Sequence, residues 1–511
     1  MRSEPPLWIL SSHRVARSAR RFERDRRPMA VHLALVCAFG LLLPPSVARA
    51  TWSINITDVE TKEVAVGTAT CVNAVDLLAL ASVIVVTKGS GAAQSFVDVE
   101  GTRRATIFDG LLNGTPPEDI LTALEAFPGH QTRQYGLADT FGGAVTFTGT
   151  DALPFAGGVV GSLGSMVYSI QGNLLTGMPV ITAAEQALLS SSGDIPAKLM
   201  AAMQAARAMG GDGRCSCLAG PEATSCGSPP PSFTNSAIVG GMVVARAGDG
   251  DDPLCDANGC VDGDYFMKLN IAGQSFPNTD PVIQLQGLFD AFRSSLEGRP
   301  DAIQSAVSFG PAKMKISLLD WRGLPITIPS SVTVLHALDS DGLAAIGPAI
   351  DHGNGSFEVA LTTAAAAGID RFVVAVDDGI RPVLLMPEPS VEYVAIDIKP
   401  GEFPNRITIS RDPNRIEVIP VAILTTATFD ASTVDPTTVR FGKTSTEAAP
   451  VRAALADADG DGTLDLVLHF RTQDSGLQCG DTSASLTGKT VSGQAIHGSD
   501  LIVTVRGGAI C

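Results

Sequence analysis

Four aspartates near the C-terminus follow one another at the spacing of a calcium-binding loop. Carboxylates at loop positions 1, 3, 5 and 9 and a backbone carbonyl at position 7 would supply the ligands: Asp457, Asp459, Asp461, Asp465 and Thr463. Gly462 at position 6 permits the sharp turn, and hard oxygen ligands at these intervals suit Ca²⁺. The EF-hand glutamate is missing, since Leu468 stands at position 12. We therefore predict a structural calcium ion in a β context, with a solvated acidic turn as the alternative.

A second candidate for chemistry depends on where the mature chain begins. Residues 1–50 combine nine arginines, an apolar run from Ala30 to Leu43 and a small-residue cleavage site that ends at Ala50, which is the pattern of a secretory signal peptide. The apolar run is shorter than the ~20 residues of a spanning helix, and we expect no membrane span once the signal is removed. Cleavage would make Thr51 the first residue. A threonine with a free α-amine carries both a nucleophilic hydroxyl and its own base.

The charge balance and the cysteines narrow the compartment and the partners. The whole chain has 36 basic and 53 acidic side chains and a net charge of −17; without the signal, 27 basic and 50 acidic side chains give −23. A chain this acidic has no basic footprint for phosphates, so we expect no nucleic-acid partner. Eight cysteines remain after cleavage, which favours disulfides and an extracellular or periplasmic location. We predict a Cys479–Cys511 bridge, regard Cys255–Cys260 as plausible and leave the other pairings open.

Three segments would position these groups. Residues 51–299 mix strands with helices. Thr115 and the two prolines after it open one predicted helix, Asp194 caps a second that Gly210 ends, and Asp280 caps a third over about Pro281–Leu296. Residues 312–389 and 390–511 are predicted as β domains, because short apolar strands alternate there with Asp- and Gly-rich turns.

The first segment resembles a known family. Five motifs occur in the family's order between Thr51 and Asp212: Thr51-Trp-Ser-Ile, Arg133-Gln-Tyr-Gly-Leu-Ala-Asp139, Phe147-Thr-Gly149, Gln171-Gly-Asn173-Leu-Leu and Gly210-Gly-Asp212. Together they resemble the bacterial family called "domain of unknown function 1028", which is similar in fold to N-terminal-nucleophile hydrolases. The resemblance implies an α+β fold class: a four-layer αββα domain followed by two β-sandwich-like domains.

The resemblance also implies roles for individual residues. It places the nucleophile on Thr51, and it makes Asn173 the candidate oxyanion donor. Asp139 and Asp212 are candidates to orient the Thr51 amine, with turn or cap roles as the alternative. The family has no settled substrate, although a peptidoglycan-binding module in some relatives suggests cell-wall or peptide-like material.

The two later segments resemble known modules as well. Residues 331–387 look like a bacterial immunoglobulin-like sandwich, and motifs after Ile396 resemble a C-terminal module of secreted bacterial proteins. Two functions from different classes follow. The first is an exported hydrolase that cleaves an amide or ester bond through Thr51. The second is a non-catalytic surface adhesion or scaffold protein that keeps the hydrolase-like fold.

Overall fold

The computed structural model describes residues 51–217, 226–310, 312–363, 367–410 and 417–511. The predicted export signal, residues 1–50, lies outside these residues. Strands make up 40% of the described residues and helices 18%, and the strands form several small, mainly antiparallel sheets. The predicted α+β class with a four-layer αββα domain is therefore wrong, because the chain is mostly β. Sandwich-like packing of sheets fits instead.

The first 300 residues contain strands β1–β10 and helices α1–α7. The strands are β1 Thr51–Asp58, β2 Val64–Thr70, β3 Ser82–Val85, β4 Gly89–Ser95, β5 Arg133–Asp139, β6 Ala144–Thr148, β7 Gly157–Leu163, β8 Met166–Asn173, β9 Val239–Ala245 and β10 Met267–Ile271. The helices are α1 Leu77–Ala81, α2 Thr102–Leu112, α3 Pro117–Glu125, α4 Pro179–Ser190, α5 Ile195–Ala208, α6 Gly213–Ser216 and α7 Pro281–Ser295. A six-stranded sheet has the order β10-β9-β2-β1-β8-β7, and a four-stranded sheet the order β3-β4-β5-β6.

Side-chain alternation along β1 decides what each face of the six-stranded sheet contacts. Successive residues of a strand point to opposite faces. Trp52, Ile54 and Ile56 therefore share one apolar core with residues of α4 and α5. The residues between them point the other way, toward the four-stranded sheet, which β1 contacts through β4 and β5. Close packing of α5 depends on Gly67 of β2, where an added Cβ would lie 2.9 Å from a methyl carbon of Leu199.

Strands β11–β28 follow. They are β11 Ala306–Gly310, β12 Lys313–Ser317, β13 Ser331–His336, β14 Ala344–Asp351, β15 Ser356–Thr363, β16 Gly368–Asp377, β17 Val383–Leu384, β18 Ser390–Tyr393, β19 Ile396–Ile398, β20 Arg406–Thr408, β21 Val418–Ile423, β22 Val434–Gly442, β23 Pro450–Ala456, β24 Asp465–Arg471, β25 Ser483–Thr490, β26 Ala495–Leu501, β27 Val503–Arg506 and β28 Ala509–Ile510.

Two sheets of this region enclose a common core. The sheet β11-β12-β15-β14 faces β13, β16 and β17, and this arrangement is that of an immunoglobulin-like sandwich. The second sheet does not stop at the end of the sandwich. It continues as β13-β16-β18-β26-β25-β22, with β18 and β26 parallel, so it passes through the position predicted as a boundary at residue 389. The C-terminal region adds the sheets β19-β21-β24-β23 and β20-β27-β28.

Four disulfides tie the described chain. The bridges Cys479–Cys511 and Cys255–Cys260 agree with the sequence-based pairing, and the open pairings resolve as Cys71–Cys215 and Cys217–Cys226. Cys71–Cys215 joins the end of β2 to α6 across 144 residues of sequence. Within the residues that the structure describes, no helix is long and apolar enough to cross a membrane.

Candidate functional site

Thr51 begins β1 directly opposite Asn173, the last residue of β8. The Thr51 backbone nitrogen donates a hydrogen bond to Asn173 Oδ1 at 3.2 Å, and Asn173 Nδ2 donates to Ser95 Oγ at 3.2 Å. Thr51 is 1% exposed and Asn173 is fully buried. The two strands thus bring together two of the predicted site residues, 122 residues apart in sequence.

A glutamine from the opposite sheet binds the carbonyl oxygen of Thr51. Gln94 Nε2 donates to the Thr51 carbonyl oxygen at 3.0 Å and to Gln134 Oε1 at 3.0 Å. Ser53 Oγ donates to Gln94 Oε1, and Gln134 Nε2 donates to the Gly172 carbonyl at 2.9 Å. The Thr51 backbone is therefore fixed by a side chain on each sheet. Gln94 and Gln134 carry no signal in the sequence, because only the pairing of β4 with β5 brings them to this place.

The space between the two sheets is polar, which is unusual for a sandwich interior. Its side chains come from β1, β2, β4, β5 and β8 and are at most 1% exposed: Ser53, Asn55, Thr57, Thr68, Ser90, Gln94, Gln134, Ser169 and Gln171. Most of them hydrogen-bond to one another or to backbone, as buried polar groups must. Gln171 is an exception, since neither Nε2 nor Oε1 has a partner within the described part of the chain. Buried polar layers of this kind fix a unique geometry when they are satisfied.

Asp212 lies at the Thr51 end of the sheet but is committed to other partners. Its carboxylate accepts from the Cys71 amide at 2.7 Å and pairs with Arg214 at 2.8 Å. It also caps the short helix α6 by accepting from the Arg214 amide. These contacts place it beside the Cys71–Cys215 bridge.

Asp139 ends β5 in the four-stranded sheet and lies against the other end of β1. Its carbonyl accepts from Thr57 Oγ1, six residues along β1 from Thr51, or roughly 20 Å at 3.3 Å per residue. Its carboxylate accepts from the Phe141 and Gly143 amides and so closes the turn between β5 and β6. The structure therefore does not bring Asp139 to Thr51.

The acidic loop connects β23 to β24. One carboxylate oxygen from each of Asp457, Asp459 and Asp465 can lie within 4.8 Å of the others, the separation expected of ligands around one cation. Asp465 is fully buried and anchors the loop, because it accepts from the Thr425 and Ala458 amides, both at 2.8 Å. Asp457 accepts from the Gly460 amide at 2.8 Å, which curls the exposed part of the loop.

Asp461 stands apart from these three carboxylates. It accepts from both the hydroxyl and the amide of Thr463, each at 2.7 Å, and these hydrogen bonds lower the pKa of the Asp461 carboxyl. Asp461 and Thr463, which were both predicted as calcium ligands, thus hydrogen-bond to each other in this structure. A calcium ion would require Asp461 to turn inward from Thr463.

Comparisons with known proteins give a family match for the first part of the chain. The model of a family of unknown function (DUF1028) matches residues 51–220. No curated protein matches the chain. A solved structure of a DUF1028 protein from Silicibacter pomeroyi is 19% identical and aligns over 47% of this chain and 88% of its own, with a TM-score of 0.33.

Two adhesin structures align more loosely. InvE of Yersinia pseudotuberculosis is 14% identical over 39% of this chain and 59% of its own, with a TM-score of 0.12. FdeC of Escherichia coli is 9% identical over 73% and 92%, with a TM-score of 0.16. At these TM-scores none of the three structures carries a functional argument. The region that contains Thr51, Asn173 and Asp212 is thus the region similar to the DUF1028 family.

Proposed function

We propose that the protein is an exported hydrolase that cleaves an amide or ester bond with Thr51 as its N-terminal nucleophile. The observation that carries the proposal is the fixed position of the Thr51 nitrogen, 3.2 Å from Asn173 Oδ1 and buried between two sheets. After signal cleavage this nitrogen is the α-amine. Its pKa near 8 in the absence of perturbation suits a general base at neutral pH.

The reaction then needs no histidine or metal ion. Thr51 Oγ1 attacks the carbonyl carbon, and its proton passes to the α-amine. The tetrahedral intermediate expels the leaving group, which takes that proton, and the acyl group remains as an ester on Thr51. Water attacks this ester, releases the acid and restores the hydroxyl.

In this scheme the first role of Asn173 is to orient the Thr51 amine. Its side-chain oxygen accepts from the Thr51 nitrogen and orients it. Its Nδ2 carries two hydrogens and donates one of them to Ser95 Oγ, so the other would be the one to support an oxyanion. Cell-wall or peptide-like material is the substrate class that we propose.

N-terminal sequencing of the exported protein is the first test. The chain should begin at Thr51, and a different first residue would refute the proposal. An electrophilic β-lactone probe should then form an ester on Thr51, detected by mass spectrometry, with labelling that rises as pH increases through about 8. Thr51→Ser should still label and Thr51→Ala should not. Thr446→Ala, which removes an exposed hydroxyl far along the chain, should label like the wild type.

The alternative proposal is a surface adhesion or scaffold protein in which the first part does not act on substrate. The nearly complete burial of Thr51 favours this alternative, because a nucleophile must be reached by its substrate. Labelling of Thr51 by the probe decides between the two. In either case we propose export through residues 1–50 and a calcium ion on the loop Asp457–Asp465.

A further inference from the structure

A long cleft runs along the junction between the first 300 residues and the later β region. It consists of two adjoining cavities of about 610 Å³ and 320 Å³, which share Glu60, Met386 and Glu388 as lining residues. The larger cavity reaches β11, β18 and the β25–β26 hairpin, and the smaller one reaches the turn that carries Phe141. Volumes of this size accommodate several sugar units or a short peptide.

Lysines are concentrated in this cleft. The acidic chain has nine lysines, and four of them line the two cavities: Lys62, Lys88, Lys313 and Lys489. Lys313 pairs with Glu358 at 2.8 Å. Among the described residues, no carboxylate lies within ion-pair distance of Lys88 or Lys489. The two ends of the cleft therefore present cations whose charge is available to an anionic ligand.

An exposed aromatic ring lies between two of these cations. Phe141 is 63% exposed, and its ring centroid is 5.7 Å from Lys88 Nζ and 5.9 Å from Lys62 Nζ. Both ammonium groups lie within the cation–π distance of about 6 Å from the ring centroid, so the exposed ring and the two charges form one surface. Flanking ammonium groups favour a ligand that has an apolar face and acidic substituents at its rim.

The middle of the cleft is lined by carboxylates, whereas its ends are lined by lysines. Glu60 and Glu388 line both cavities and accept hydrogen bonds only, and hydroxyls or amides of Ser308, Ser492 and Gln494 line the larger one. Carboxylates in this position repel an acidic peptide but accept hydrogen bonds from hydroxyl groups. A neutral sugar would satisfy the middle of the cleft and leave the lysines without partners.

We infer that this cleft binds an acidic oligosaccharide. The apolar face of one sugar ring stacks on Phe141, ring hydroxyls donate to Glu60 and Glu388, and acidic substituents pair with Lys62 and Lys88 at one end and Lys489 at the other. The inference is independent of Thr51, because none of these residues belongs to the Thr51 site.

Isothermal titration of the mature chain with a hexamer of galacturonic acid tests the inference. Binding should be measurable at low salt and weaken as salt is added. Lys88→Ala and Lys489→Ala should each weaken it about two- to fivefold, the range of exposed ion pairs, and Phe141→Ala about fivefold. Lys443→Ala is the matched control, since it removes the same charge outside the cleft, where Lys443 pairs with Asp481. This variant should leave the affinity unchanged.

Two comparison ligands separate the alternatives. A glucose hexamer with β-1,4 links should bind much more weakly, and equal binding would overturn the anionic class. Hexaglutamate should also bind weakly, and binding as strong as that of the acidic sugar would overturn the saccharide class. No binding of the galacturonate hexamer, or an equal loss in Lys443→Ala and Lys88→Ala, would overturn the site.

Discussion

At the residue scale, Arg246 is the centre of a buried cluster with more negative than positive groups. Its guanidinium contacts Glu63 at 2.7 Å and Asp301 at 2.9 Å, while Asp194 lies 3.7 Å away and also pairs with Arg293. Three carboxylates thus face two guanidinium groups in the interior. Burial raises the pKa of Glu63 to about 7, against the opposing effect of Arg246, and the charges of Asp194 and Asp301 add to the rise. Glu63 is therefore the group that takes up a proton as the pH falls.

The pH dependence of stability should reveal this proton. Glu63 has a pKa of 4.5 in the unfolded chain and about 7 in the fold, so between these values only the folded state holds the proton. Stability from this group is complete below about pH 4.5 and is lost as pH rises through 7. Over that window the free energy of unfolding of the wild type should fall relative to that of Glu63→Gln by on the order of 3 kcal/mol. The melting temperature of the wild type should fall with it. Parallel curves for the two proteins in calorimetry would contradict the raised pKa.

The sequence predicted some residues of the Thr51 site and not others, for a physical reason. Thr51 and Asn173 came from motifs that lie on adjacent strands, so the pairing of β1 with β8 places them together. Asp139 belongs to one of the motifs too, but it ends β5 in the other sheet and contacts Thr57, at the far end of β1 from Thr51. Local sequence does not determine which strand end a residue occupies, and it gives no signal for Gln94, which acts across the space between two sheets.

At the element scale, the hairpin β23–β24 depends on whether its acidic connection holds a cation. Asp457 and Asp459 are exposed and Asp465 is buried, so their mutual repulsion destabilises the loop unless Ca²⁺ balances it. A ligand that binds only the folded state stabilises it, and Ca²⁺ at 100 times its Kd should contribute about 2.7 kcal/mol. We expect chelation to lower the melting temperature of the C-terminal region.

Asp459→Asn should remove most of this calcium-dependent shift, because it replaces one carboxylate of the cluster by a neutral amide of the same shape. Within the described residues its side chain otherwise accepts only from the Asp461 amide, so little of the fold depends on it. Asp435→Asn is the control, since that partly exposed aspartate lies in the same region and binds Thr437. A melting temperature that does not respond to chelation in the wild type would rule out a structural calcium ion here.

Helices were predicted well from their caps, whereas the fold class was not. Asp194 and Asp280 cap α5 and α7, as the sequence indicates, although Pro116 and not Thr115 precedes α3. The α+β class rested on the family resemblance of the first segment, and strands without apolar alternation conceal how much of the chain is β. The strand β4 is Gly-Ser-Gly-Ala-Ala-Gln-Ser and yet wholly buried, because its polar side chains face those of the opposite sheet. Hydrophobic periodicity does not detect such a strand.

At the scale of the whole molecule, one arginine joins the first 300 residues to the β region. Arg381 follows β16, and its guanidinium pairs with Asp249 at 2.8 Å and Asp264 at 3.2 Å while donating to the Asp264 and Tyr265 carbonyls. Arg299 adds a second contact by pairing with Asp378 at 2.6 Å. These contacts set Met386 and Glu388 against the turn that contains Glu60, where the cleft forms.

Arg381→Ala should therefore loosen this junction without removing a residue of the cleft. We expect amide hydrogens near Asp249 and Gly379 to exchange roughly tenfold faster, because partly exposed ion pairs and hydrogen bonds of this kind contribute about 1.4 kcal/mol together. Arg452→Ala is the control, since that exposed arginine of β23 lines neither cavity of the cleft. Galacturonate binding should weaken in Arg381→Ala and persist in Arg452→Ala, because the ligand spans both sides of the junction. Faster exchange with unchanged binding would show that the ligand contacts one side alone.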